Sequence, residues 1–520
     1  MSHTPPTKTF PEKSISVEEA AAMIRDGDTV AITAAGGGLL EPEAICAAIE
    51  KRFLETGHPR DLTLVNGLGF GNAAHTKGIN HFAHKGLIAR VIVGLWSWSP
   101  KMQQMVEAEE IEAYCLPGGV ISLLLREIGA GRPGLFTHVG LGTFADPRMS
   151  GGRCNARTTE EIVELMIIDG REVLRYKPFE VDVGIVRGSF ADPKGNISMT
   201  REPADLDAHA VALAAHNTGG TVIAQVGESV ELNSLPPRDI RIPGVLVDAL
   251  VVDPDQRQTH RAVYEPELSG QARTDNPQAM TNAAVHPGIR QVIARRAAEE
   301  LVPGTVVNFG FGIPGGIPNM LIDGGKLEDY WLTIEQGSHN GAIIDGELFG
   351  AAVNPEAILS SIKQFDFYSG GGIDITFLGM GEMDRHGNVN VSRLNGRLVG
   401  TGGFIDISQN AKRVVFCGTF ETKGLRTALG SNGLEIIEGG SVRKLVHEVG
   451  HLTFSAQRAR DCGQEVVYVT ERAVFRMAAE GVELIEIAPG VDLQSDILNR
   501  MDFTPIVHSP KIMDAHHFRE

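Results

Sequence analysis

The chain is 520 residues long, too long for a single hydrophobic core, so two or three domains are expected. Its 42% hydrophobic and 22% charged residues exclude an intrinsically disordered chain, and a net charge of −18 with a pI near 5.4 excludes a sequence-independent nucleic-acid binder. Any anionic ligand must be held by local groups.

The five cysteines (Cys46, Cys115, Cys154, Cys417 and Cys462) are widely spaced with no C-x-x-C pair. That spacing points away from a disulfide framework or zinc knuckle and towards a reducing compartment. Residues 1–11 are polar and contain Pro5-Pro6, with no apolar stretch that reads as a signal peptide or membrane span, so a cytoplasmic protein is expected. The 61 glycines follow no collagen-like period. They read as tight strand-to-helix turns and close backbone approaches.

In chain order, Ser16 with Glu19 three residues on is a capping box opening a helix to about Arg25. A turn at Gly27-Asp28 leads into the strand 29–32, the glycine loop 36–38 and a helix over about 42–53. The same order returns later: a helix over 289–301, a turn at Pro303-Gly304, a strand over 305–309, then Gly310, Gly312 and Gly315 before another helix. A second matched pair is Asp192-Pro193-Lys194-Gly195-Asn196-Ile197-Ser198 and Asp384-Arg385-His386-Gly387-Asn388-Val389-Asn390, each after a buried-strand pattern (181–186 and 373–378).

Two related halves are therefore expected. Between the turn glycine and the second motif, the first half has 165 residues (27 to 192) and the second 80 (304 to 384), so the first half carries an insertion. The Pro-, Gly-, Asn- and Gln-rich stretch 264–287 reads as the linker. The domains are accordingly placed at 1–278 and 279–520. The fold expected is two related open α/β domains with mainly parallel sheets and the site in the cleft between them.

Chemistry concentrates in the second half. The strand pattern 329–334 ends at Glu335, which delivers a carboxylate to the carboxyl edge of a parallel strand, where open α/β sheets bind ligands. Gln336-Gly337-Ser338-His339-Asn340-Gly341 follows, its glycines leaving room for a substrate to approach the backbone. Downstream, Gly400-Thr401-Gly402-Gly403-Phe404 follows another strand-like run and presents backbone N–H groups able to converge on an oxyanion.

Together these motifs resemble the family I coenzyme A transferases, in particular the acetate/propionate CoA-transferase group in which both halves are fused. The resemblance spans nearly the whole chain. It also rests on Gly57-His58-Pro59-Arg60-Asp61, Asn80-His81-Phe82-Ala83-His84, Tyr468-Val469-Thr470-Glu471-Arg472-Ala473-Val474-Phe475 and, most specifically, Gly140-Leu141-Gly142-Thr143-Phe144-Ala145-Asp146-Pro147-Arg148.

The resemblance implies transfer of CoA from an acyl-CoA to a free carboxylic acid by a ping-pong reaction. Glu335 would be the nucleophile and would carry a glutamyl-CoA thioester, the Gly402 and Gly403 backbones would hold the oxyanion, and Phe404 would wall the thiol arm. It also implies a homo-oligomer using the CoA thioester as substrate, with no cofactor, metal, nucleic acid or membrane partner.

Two departures from the family pattern stand out. Where the family has Leu-Pro-Gln-Gly, this chain has Leu116-Pro117-Gly118-Gly119-Val120-Ile121, and polar Ser338-His339-Asn340 follows the nucleophile. The expectation is that Gly118 and Gly119 line an acyl pocket enlarged by the missing side chain. Gly337, Ser338, His339 and Asn340 would then contact an acid larger or more polar than acetate.

Three other readings stay open. Water reaching the glutamyl-CoA would make the protein an acyl-CoA hydrolase. Gly310-Phe311-Gly312-Ile313-Pro314-Gly315 is a literal G-x-G-x-x-G with Glu335 twenty residues on, the fingerprint of an NAD-dependent dehydrogenase. A non-catalytic CoA-binding module has no feature of its own. His75, His81 and His84 lack the Cys or carboxylate partners of a metal site and read as satisfied histidines. Trp96 and Trp98 read as core or pocket wall.

Overall fold

The computed structural model describes residues 13–72, 74–281, 288–430 and 433–519. The polar N-terminal stretch and part of the linker lie outside the described residues.

The first half is built on a nine-stranded sheet with seven parallel strands: β1 (Thr29–Ile32), β2 (Leu62–Asn66), β3 (Ile88–Val93), β4 (Glu112–Cys115), β5 (Val183–Ala191), β6 (Thr221–Ser229) and β7 (Ala249–Val252). Their spatial order is β7-β6-β5-β1-β2-β3-β4, every neighbouring pair parallel. Ser16 caps the first helix, α1 (Val17–Ala22), by the full capping box with Glu19, and α2 (Glu43–Thr56) follows the glycine loop. The apolar side chains of β1 are buried on both faces, as a parallel sheet covered by helices requires.

The second half contains β8 (Val306–Phe309), β9 (Trp331–Thr333), β10 (Ser338–His339), β11 (Ile375–Gly379), β12 (Arg413–Cys417) and β13 (Glu465–Val469), then β14 (Ala473–Ala478), β15 (Gly481–Ile487) and β16 (Ile506–Ile512). The run β9-β8-β11-β12-β13 is parallel throughout. It reproduces β2-β1-β5-β6-β7 of the first half in order and direction.

The Asp-x-x-Gly-Asn motifs fold into the same turn in both halves. Asp192 Oδ1 accepts from the N–H of Lys194 (2.9 Å) and of Asn196 (3.1 Å). Asp384 Oδ1 does the same for His386 (2.9 Å) and Asn388 (3.0 Å). Gly195 (φ 83°) and Gly387 (φ 88°) occupy the left-handed position that the turn requires.

The insertion in the first half is now explicit. It contributes β3, β4, the helix α3 (Gly118–Gly129) and a three-stranded antiparallel sheet over 135–176, all between β2 and β5.

Three details differ from the sequence reading. The strand before Glu335 is shorter than 329–334: Leu327–Asp329 is a 3-10 turn, and Trp331 is 46% exposed near the sheet edge. After Glu335 the chain does not form an open glycine loop but returns antiparallel as β10. Within the linker stretch, Leu268 is fully buried, and Asn354 binds both Glu267 and Thr274, so this segment is docked on the second half.

Candidate active site

Glu335 stands just beyond the carboxyl end of β9. Its carboxylate is held by two neighbours. Gln336 Nε2 donates to Oε1 at 3.3 Å, and the Gly403 N–H donates from the opposite segment. A Cβ on Gly403 would lie 2.3 Å from Glu335 Oε2, so only glycine permits this approach. The residue keeps partial exposure through the cleft, yet the packing around the carboxylate is dense. Burial pushes its pKa up to about 7, against the lowering effect of the Gln336 and Gly403 hydrogen bonds.

The turn 400–403 is stitched to the first half by backbone bonds. Gly94 O accepts from Thr401 N–H (2.7 Å) and from Gly402 N–H (2.9 Å), and Gly402 O accepts from Gly118 N–H (2.7 Å). Helix α3 begins at Gly118, so its first N–H groups, which have no partner within a helix, find acceptors across the cleft. The next, Gly119 N–H, donates to Asp406 Oδ2 at 3.1 Å. Asp406 sits in the short helix α4 (Phe404–Ser408) and is 1% exposed, with Oδ1 making no hydrogen bond. Burial first, and the nearby Glu335 charge as well, drive its pKa well above the usual carboxylate range.

This geometry corrects several expectations. Gly402 does not offer its N–H to an oxyanion, because Gly94 O already takes it; of the expected pair, the Gly403 N–H is the one that faces Glu335. Gly118 does not open space: a Cβ there would meet Gly67 O at 2.8 Å and Gly402 C and O at 3.1 Å, so the missing side chain is filled by two backbones. Gly119 is equally confined, by Phe365 and Asp406. The absent side chain of Gly337 accommodates the Leu359 carbonyl rather than a substrate.

Of the polar trio after the nucleophile, two side chains are bonded within the fold. Ser338 is buried in β10 and its hydroxyl makes no hydrogen bond. His339 accepts from Trp331 Nε1 (2.9 Å) and pairs with Gln364 (2.7 Å), and Asn340 binds Leu332 N–H (2.8 Å) and Glu356 (3.0 Å). Phe404 stacks on Phe416 (5.9 Å between centroids) and is 8% exposed, so its ring belongs to the core and leaves little surface for a thiol arm.

Gln336, Asp406 and Gly94 are the site residues that the sequence reading missed. Gln336 was adjacent to the nucleophile and could have been flagged by that position. Asp406 and Gly94 carry no local signal.

His81 and His84 find carboxylates after all, but as ion-pair partners. His81 lies between Glu43 (3.0 Å) and Glu50 (2.5 Å), and His84 binds Glu50. Trp96 is buried with its backbone N–H bonded to Val399 O, and Trp98 lies over Gly36 at the glycine loop. In the G-x-G-x-x-G segment, Gly315 packs against Asp345.

A family model described as coenzyme A transferase matches residues 14–253. The chain belongs to this family, with both halves in one polypeptide, and is a CoA-transferase. It is 41% identical over 507 residues to the acetate CoA-transferase YdiF of Escherichia coli K12, covering 97% of this chain and 94% of that one. It is 43% identical over 519 residues to the caffeate CoA-transferase of Acetobacterium woodii, covering 98% of each. A crystal structure of the YdiF acyl-CoA transferase from E. coli O157:H7 as a thioester complex with CoA superposes with a TM-score of 0.92 at 39% identity, over 98% of this chain and 96% of that one. Family membership removes the dehydrogenase reading. Among the described residues, no helix is long and apolar enough to cross a membrane.

Proposed function

We propose that this CoA-transferase works by a ping-pong mechanism in which Glu335 is the nucleophile. A carboxylate oxygen of Glu335 attacks the thioester carbonyl carbon of the acyl-CoA. The CoA thiolate leaves, and an acyl-glutamyl anhydride remains. The thiolate then adds to the glutamyl carbonyl and expels the acyl group as a free carboxylate, leaving glutamyl-CoA. A second carboxylate takes the CoA by the same steps reversed.

The observation that carries this reading is a carboxylate at the mouth of a parallel sheet, packed between two halves and touched by one glycine N–H. The Gly403 N–H that holds the carboxylate is placed to follow charge onto the glutamyl oxygen as the tetrahedral species forms. Enclosure shields the anhydride from water, which a carboxylate-to-thioester exchange needs more than it needs acid–base help. The thioester complex of YdiF with CoA supports the same reading.

The site belongs to a chain divided at about 278/279, with no cofactor and no metal at the active site, acting as a homo-oligomer in the cytoplasm. The free cysteines agree with that compartment. Acetate and caffeate, the acids in the relatives' names, bracket the acceptors to be tried.

The test is mass spectrometry of the Glu335 peptide after incubation with acetyl-CoA, propionyl-CoA and a hydroxycinnamoyl-CoA, with and without borohydride. A CoA adduct or a reduced side chain at Glu335 is expected. CoA release with Glu335 unmodified would replace the proposal with hydrolysis.

A further inference from the structure

We propose that Glu299, His516 and His517 form a binding site for a divalent transition-metal ion that fastens the C-terminal segment to the second half.

The three residues come from distant parts of the chain. Glu299 ends the helix Ile289–Ala298, and the two histidines lie in the 3-10 turn Ala515–Phe518 that packs against it. One ligand atom from each falls within 4.8 Å of the others. His517 Nε2 is 3.0 Å and His516 Nε2 4.0 Å from Glu299 Oε1. With metal–ligand bonds of about 2.0–2.1 Å, tetrahedral ligand atoms lie about 3.4 Å apart, so small side-chain adjustments close the set around one ion.

Two further observations point to a ligand. His517 is fully buried, yet neither ring nitrogen makes a hydrogen bond; its 3.0 Å approach to Glu299 lacks hydrogen-bond geometry. Buried imidazole nitrogens without partners are costly unless something binds them. His516 Nδ1 lies 2.9 Å from Asp514 Oδ1, which places a carboxylate beside the imidazole as in the outer shell of metal-ligating histidines.

Three further carboxylates (Glu300, Glu486 and Asp514) lie around the cluster, against the guanidiniums of Arg296 and Arg413 on these acids and on Glu299, and of Arg295 on the His517 carbonyl.

The location makes the ion structural. The helix ending at Glu299 leads through the turn at Gly304 into the start of β8, so the cluster lies toward the amino-terminal edge of the sheet, away from Glu335 at the carboxyl edge. Two nitrogens and one oxygen suit zinc, with water as the fourth ligand.

The test is isothermal titration of untagged, chelator-treated protein with Zn2+, alongside the visible spectrum after loading with Co2+. About one equivalent per chain is expected, with the intense d–d bands of a tetrahedral site. His516→Ala and Glu299→Gln should weaken that equivalent at least tenfold and Asp514→Asn about tenfold, with CoA-transferase activity of all three variants retained. His516 is half exposed, so its variant tests the site even if a change at buried His517 prevents folding. Stoichiometric binding that survives His516→Ala and Glu299→Gln, or no binding by the unmodified chain, overturns the proposal.

Discussion

Replacing Glu335 by Gln separates the electrostatic cost of the nucleophile from its chemistry. The carboxyl pKa is raised from 4.5 to about 7 by burial. In the interval between those values the folded state binds more protons than the unfolded state, so stability falls as pH rises from about 4.5 to 7 and stays reduced above. At roughly 1.4 kcal/mol per unit this amounts to about 3 kcal/mol at most, and screening by water in the cleft brings it towards about 1–2 kcal/mol.

Glu335→Gln keeps the shape but carries no charge. Thermal unfolding of both proteins from pH 4 to 8.5 should show no difference at pH 4 and a variant that melts a few degrees higher at pH 8. The variant should also lose at least about 10^3-fold in turnover. A melting difference that does not change with pH would refute the assignment of Glu335 as a buried, strained carboxylate. Activity near that of the unmodified chain would refute its role as nucleophile.

Other outcomes follow from the same geometry. The acyl-CoA half-reaction needs ionised Glu335, so kcat/KM should rise with pH to a plateau with an apparent pKa near 7. In Gln336→Leu the carboxylate loses a donor, so this limb should move to higher pH with the melting temperature little changed. Gly403→Ala places a methyl 2.3 Å from Glu335 Oε2 and should lower kcat by about 100-fold through misplacement of the carboxylate, with circular dichroism unchanged. Asp406→Asn keeps an oxygen acceptor for the Gly119 N–H, so it should fold and turn over almost normally. Asp406→Ala leaves Gly119 N–H without its acceptor and should cost about 1–3 kcal/mol in denaturant unfolding; equal effects of the two changes would contradict this account.

The local features were legible in the sequence because they depend on neighbours along the chain. The Ser16–Glu19 capping box is formed as read, since both partners lie within one helical turn. The repeated Asp-x-x-Gly-Asn motif announced a turn in which the Asp Oδ1 accepts from N–H groups two and four residues on, and its recurrence gave away the duplicated strand order. Glu335 could be placed at a strand's carboxyl edge because an apolar run ended at an acid.

What glycines do across a cleft has no sequence signature. The residues that fill the space beside Gly118, Gly337 and Gly402 come from 22 to 308 positions away: Gly67 and Gly402 beside Gly118, Leu359 beside Gly337, and Gly94 beside Gly402. The sequence could therefore say that a side chain was missing but not whether substrate or backbone occupied the space. The same holds for the polar trio 338–340, whose partners Gln364 and Glu356 belong to later segments. By itself the sequence determined two related α/β halves, an acid at a sheet edge and the family they resemble. Only the tertiary structure decided which N–H reaches Glu335, why its pKa lies near 7 and which residues knit the halves around it. Desolvation and backbone contact are properties of the assembled cleft and of no segment alone.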